Sequence, residues 1–92
     1  MQAEARYGHI GRWLTGQVTD MSELFREMRD FNADISGWDV SGVTNMDGMF
    51  YNAGSFNQPI GGWDVSGVTN MRGMFDRAHS LQTRPQWVLG RV

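Results

Sequence analysis

The chain of 92 residues has no cysteine, which excludes disulfides and thiolate metal sites. It has no lysine; its eight basic residues are all arginine. With ten acidic residues the net charge is −2 and the pI about 5.5. Phosphate binding needs a basic face, so neither nucleic acid nor an anionic membrane surface is expected as a partner. No stretch approaches the roughly 18 apolar residues of a membrane span, so no membrane insertion is expected. Residues 1–8 contain no apolar run of signal-peptide length. The chain reads as soluble: intracellular, a mature fragment, or one module of a longer protein. Histidine is scarce, only His9 and His79, and each lacks the converging partners that catalysis or metal binding requires. No nucleophile–base pair, metal cluster or phosphate loop is visible, so no enzyme activity, cofactor or metal is expected.

What the chain has is a repeat. Trp38-Asp39-Val40-Ser41-Gly42-Val43-Thr44-Asn45-Met46 returns unchanged from Trp63 to Met71, 25 residues on. A looser copy from Trp13 to Met21 keeps Trp13, Val18, Thr19 and Met21. The period divides the chain into repeats at 13–37, 38–62 and 63–87. Repeats two and three share 14 of 25 positions, and repeats one and two share 9. The shared positions are mostly apolar, which is what stacked repeats bury between them. The predicted organisation is a lead-in and partial repeat at 1–12, a three-repeat region at 13–87, and a tail at 88–92.

Met46, Met49, Phe50 and Ala53 fall at i, i+3, i+4 and i+7, as do Met71, Met74, Phe75 and Ala78, and Met21, Leu24, Phe25 and Met28. That spacing predicts a short helix in each repeat. Asp20, Asn45 and Asn70 are placed to cap it, and Glu23 completes a capping-box spacing with Asp20. Gly48 and Gly73 would weaken the later two helices. Phe31–Ile35 and Phe56–Ile60 predict one short, edge-like extended segment per repeat, because Pro59 lacks a donor. Asn32, Asn57 and Gln82 would form an amide ladder between repeats. The recurring Trp13, Trp38, Trp63 and Trp87 are read as packing repeat on repeat, with an exposed sugar- or protein-binding ridge as the competing reading. The fold class expected is an α/β repeat, a short leucine-rich-repeat-like solenoid of about three 25-residue coils, each with a short helix and a short parallel strand.

The pattern Trp-Asp-Val-Ser-x-Val-Thr-x-Met-x-x-Met-Phe-x-x-Ala-x-x-Phe-Asn-x-x-Ile resembles the BspA-like bacterial surface-protein repeat, a divergent leucine-rich-repeat family. Residues 38–60 match it almost throughout, residues 63–80 nearly as well, and the likeness covers about residues 10–80. The third repeat departs from it: Leu81 replaces Phe, Arg84-Pro85 stands where Ile belongs, and Trp87 comes one residue early. The resemblance implies a right-handed solenoid used on cell surfaces or outside cells for adhesion or protein binding, with no catalytic residues to transfer.

Asp39 and Asp64 recur at one phase. Two carboxylates supply few ligands for a hard cation, so they are read as capping turns; a cation site with Asp34 is the alternative. The outward positions vary while the core repeats. Ser22, Asp47 and Arg72 share one phase, Arg26, Tyr51 and Asp76 another, and Glu27, Asn52 and Arg77 a third; the first six form the candidate partner-binding face. The expected function is a non-enzymatic module for protein–protein recognition or surface adhesion. The alternative is a structural module that self-associates through its coil ends or stacks end to end in a larger assembly.

Overall fold

Turns, not helices, carry the repeated methionine and phenylalanine. A computed structural model of the chain describes residues 9–82 and 85–89. Among these residues regular secondary structure is limited to a 3-10 turn at Ile10–Arg12 and a four-residue helix, α1, at Gln86–Leu89. The only strand-like pairing among them is two isolated parallel bridges, Asp20 to Asn45 and Asn45 to Asn70. The expected leucine-rich-repeat-like solenoid, with a helix and a parallel strand in each coil, is therefore not what forms. The predicted lead-in over residues 1–8, the Arg84 departure and most of the tail at 88–92 lie outside the described residues.

The backbone hydrogen bonds say why the helices fail. A helix sends each N–H back four residues. Here the N–H groups of Met46, Gly48, Phe50 and Asn52 donate to the carbonyls of Asn70, Arg72, Met74 and Asp76 at 2.8, 2.8, 2.9 and 2.8 Å. Met21, Glu23, Phe25 and Glu27 donate in the same register to Asn45, Asp47, Met49 and Tyr51. The N–H groups between them close i−3 turns: Met49 on Met46, Tyr51 on Gly48, Ala53 on Phe50. In each repeat two residues four apart turn left-handed, with φ near +60° at Glu23 and Glu27, Gly48 and Asn52, and Gly73 and Arg77. A right-handed helix cannot run through such residues. The predicted caps still accept N–H groups, but two residues on and within turns: Asp20 from Ser22 (2.8 Å), Asn45 from Asp47 (2.9 Å), Asn70 from Arg72 (3.0 Å). With no helix, the Glu23 capping box has nothing to cap.

The extended segments form no strand either. The Ile60 N–H turns back to the Gln58 carbonyl. Side-chain amides supply the cross-repeat bonds instead. Asn32 Oδ1 accepts from the Asn57 N–H at 2.8 Å, and Asn57 Oδ1 from the Gln82 N–H at 3.3 Å. The amide ladder thus exists where the strand does not.

The apolar positions are buried as the period demands. Met46, Met49, Phe50, Ala53 and Phe56 are fully buried. Phe25, Phe50 and Phe75 stack at 5.5 Å intervals, with Phe31 against Phe25 at 4.1 Å and Phe56 against Phe50 at 4.3 Å. The tryptophans belong to this core: Trp38 and Trp63 are buried, and the Nε1 groups of Trp38, Trp63 and Trp87 donate to the carbonyls of Ile10, Ile35 and Ile60. α1 brings Trp87 to this place although it comes one residue early. The radius of gyration is 12.4 Å, close to the roughly 12 Å of a compact globule this long. The result is a globule around one aromatic cluster, in which three turn-built repeats lie side by side.

Candidate functional site

The six candidate face residues sit on the turn segments, at positions fixed by the rungs just described. The carbonyls of Asp47 and Arg72 accept from Glu23 and Gly48, and those of Tyr51 and Asp76 accept from Glu27 and Asn52. The phases Ser22/Asp47/Arg72 and Arg26/Tyr51/Asp76 are therefore columns in space. Arg26, Arg72 and Asp76 are exposed; Ser22, Asp47 and Tyr51 are half-buried. One pair within the set is brought together. The Arg26 guanidinium lies 4.8 Å from the centroid of the Tyr51 ring, and its Nη1 is 3.7 Å from Glu23 Oε1. At an exposed site such a cation–π contact contributes about 0.5–1 kcal/mol. It flattens Arg26 on its neighbour and presents the pair as one surface.

Sequence reasoning missed the left-handed backbone of Glu23, Glu27, Asn52 and Arg77, which lie among and beside the outward positions. A signal was present. Glycine recurs at the phase of Glu23 (Gly48, Gly73) and asparagine at that of Glu27 (Asn52). These two residue types accept positive φ most readily.

The carboxylates act as turn caps. Asp39 Oδ1 accepts from the Ser41 N–H at 3.0 Å and from Ser41 Oγ at 2.6 Å; Asp64 does the same with Ser66, and Asp34 with Ser36. The serine hydroxyl and then the serine N–H hold the carboxyls of Asp34, Asp39 and Asp64 below their ordinary range, and the Ser22 bonds do the same for Asp20. Asp39 acts weakly against this at Asp64. No group of three His, Asp or Glu among the described residues could hold a metal ion. Leu14, at the same phase in repeat one, is 99% exposed.

His9 and His79 are both exposed. His9 Nδ1 accepts from the Gly11 N–H at 3.0 Å. It borders an open depression of about 600 Å³ with Arg12, Asp34 and Ser36. A second, apolar cavity of about 290 Å³ opens beside repeat one, lined by Ile10, Trp13, Val18, Met21, Leu24 and Phe25 among others. No helix among the described residues is long and apolar enough to cross a membrane.

Compared with known families, residues 1–92 match the one described as Mycoplasma protein of unknown function, DUF285. No curated protein and no solved structure matches the chain.

Proposed function

The chain belongs to the DUF285 family, and we propose that it is a non-enzymatic repeat module that recognises a protein partner through its outward turn face. One observation carries this reading. Side chains that differ from repeat to repeat, Ser22/Asp47/Arg72 and Arg26/Tyr51/Asp76, are mounted on backbone rungs that do not differ. Such a scaffold presents a fixed array of hydroxyl, carboxylate, guanidinium and phenol groups. Aromatic and arginine side chains of this kind anchor protein interfaces more often than other surface residues do. The likeness of residues 38–60 to BspA-like surface repeats supports a partner met at a cell surface and a role in adhesion.

The test is affinity capture of partners with the wild-type chain and with Tyr51→Ala combined with Arg72→Glu. A saturable partner lost on substitution, with an unchanged thermal melt, is the expected result. If charge reversal at Arg26, Asp47, Arg72 and Asp76 together with Tyr51→Ala leaves every partner bound, the face is not the site.

A further inference from the structure

Repeat one ends in an open edge. At the two internal interfaces the carbonyls of Asn45, Asp47, Met49 and Tyr51, and of Asn70, Arg72, Met74 and Asp76, each accept an N–H from the preceding repeat. The carbonyls of Asp20, Ser22, Leu24 and Arg26 stand at the same phases in repeat one and find no donor among the described residues. The rung that runs the other way stops here too. The N–H groups of Thr44 and Thr69 donate to the carbonyls of Thr19 and Thr44 at 2.8 Å, and the Thr19 N–H finds no acceptor among these residues. Val18 is 37% and Leu24 45% exposed, whereas Val43 and Met49 at the same phases are 0% exposed. The apolar cavity of about 290 Å³ opens at this edge, with Trp13, Val18, Leu24 and Phe25 in its wall. The far end is closed: Val68 and Met74 are buried, and Leu81, Trp87 and Val88 pack against the core. We propose that the edge of repeat one is a docking site for a turn segment of this same repeat pattern, carried by another polypeptide.

The edge itself selects this occupant. A row of carbonyls at every second residue calls for N–H groups at every second residue, all pointing one way. A β-strand does not offer that, because N–H and C=O alternate along each of its edges. A turn segment that is left-handed at two residues four apart does offer it, and repeats one and two already use it inside the molecule. The cavity asks for a ring at the same place. Phe25 stacks on Phe50, and Phe50 on Phe75, at 5.5 Å. Each also lies against the tryptophan of the next repeat, Phe25 at 5.8 Å from Trp38 and Phe50 at 6.4 Å from Trp63. A phenylalanine one repeat earlier would meet Phe25 and Trp13, and both line the cavity. The docked segment thus continues an interface built twice within the chain, and unpaired backbone edges are templates for such addition. A second copy of this chain has no such segment to give. Its first two repeats spend these N–H groups internally and its third is covered, while two repeat-one edges would set carbonyl against carbonyl. The site uses backbone and the edge of the core rather than the six outward side chains, so it stands or falls apart from that face.

The probe is a synthetic peptide of residues 38–62 with capped ends, titrated into the full chain by calorimetry while amide exchange is followed by NMR. Saturable one-to-one binding is expected, with slowed exchange of the Thr19 N–H. In the peptide, N-methylation at Gly48 removes a rung donor and Phe50→Ala removes the ring; each is expected to weaken binding by about tenfold or more. N-methylation at Gly54, whose N–H makes no rung, is expected to leave binding unchanged. In the chain, V18E/L24E is expected to abolish binding; both side chains are exposed, and a thermal melt verifies folding. No saturable binding, binding that survives both N-methylation at Gly48 and V18E/L24E, or binding without protection of Thr19 would each overturn the proposal. So would a chain that self-associates on sedimentation and loses this in V18E/L24E, since a second copy would then be the occupant.

Discussion

Four non-glycine residues, Glu23, Glu27, Asn52 and Arg77, hold φ between 57° and 60°. For an L residue this region costs roughly 1–2 kcal/mol. Glycine avoids that cost but gives up unfolded-chain entropy, so the net gain on substitution is smaller. Glu27→Gly and Arg77→Gly are each expected to stabilise the fold by about 0.5–1 kcal/mol, read as a higher urea midpoint. Gly48→Ala is expected to cost about 1–2 kcal/mol. A Cβ at Gly48 would meet nothing nearer than Glu23 Cγ at 3.6 Å, so that cost is conformational and not steric. Gly11 is the converse case: a Cβ there would collide with the Asp34 carbonyl oxygen, and Gly11→Ala must move backbone. Lower midpoints for both Glu27→Gly and Arg77→Gly would refute the left-handed assignment.

The turn is the element of this protein, and its side-chain caps make it acid-sensitive. The carboxyls of Asp34, Asp39 and Asp64 are held below their ordinary range by the serines two residues on. A group whose pKa is lower folded than unfolded contributes stability above its unfolded value. That contribution disappears as pH falls through the folded value. The chain is therefore expected to lose stability on acidification below about pH 4. Ser41→Ala with Ser66→Ala should flatten that loss in urea melts taken across the acid range. An unchanged pH slope in the double variant would show that these caps do not set it. The same turns mark how far the sequence was legible. The spacing of Met46, Met49, Phe50 and Ala53 identified the buried face, and Asn45 and Asp39 identified the side-chain acceptors. The spacing did not identify the backbone beneath, because a chain of alternating turns buries i, i+3, i+4 and i+7 as a helix does. The decisive signal was Gly48 and Gly73 at one phase with Asn52 beside them, which marks reversed handedness more directly than a weak helix. Pro59 predicted at most a short, edge-like strand; no strand forms there, and the Asn32–Asn57–Gln82 ladder stands in its place. At the candidate face, backbone rungs set Asp47 and Arg72, and Tyr51 and Asp76, in register with the preceding repeat. The contact of Arg26 with Tyr51 was not legible, since it depends on the separation of neighbouring repeats and not on their period.

At the scale of the whole molecule, stability comes from one aromatic cluster rather than from secondary structure. The far-UV circular dichroism spectrum is expected to lack helical minima while the near-UV spectrum shows ordered aromatics; strong helical minima would contradict the turn-built backbone. Phe50 lies at the middle of the cluster. It is 0% exposed and stacks on Phe25, Phe56, Phe75 and Trp63 at 5.5, 4.3, 5.5 and 6.4 Å. Phe50→Ala is expected to cost about 3–5 kcal/mol, a large share of the roughly 5–14 kcal/mol available to a domain of this length. The half-buried Trp13 lies at the edge of the cluster, so Trp13→Ala should cost clearly less. If the repeats were independent units, Phe50→Ala would melt the middle one alone and give a second transition. Because Phe50 touches aromatic rings of all three repeats, the variant should instead unfold in one transition at a lower urea midpoint, or not fold at all. Two separated transitions, or equal costs for Phe50→Ala and Trp13→Ala, would show that the cluster is not a single cooperative core.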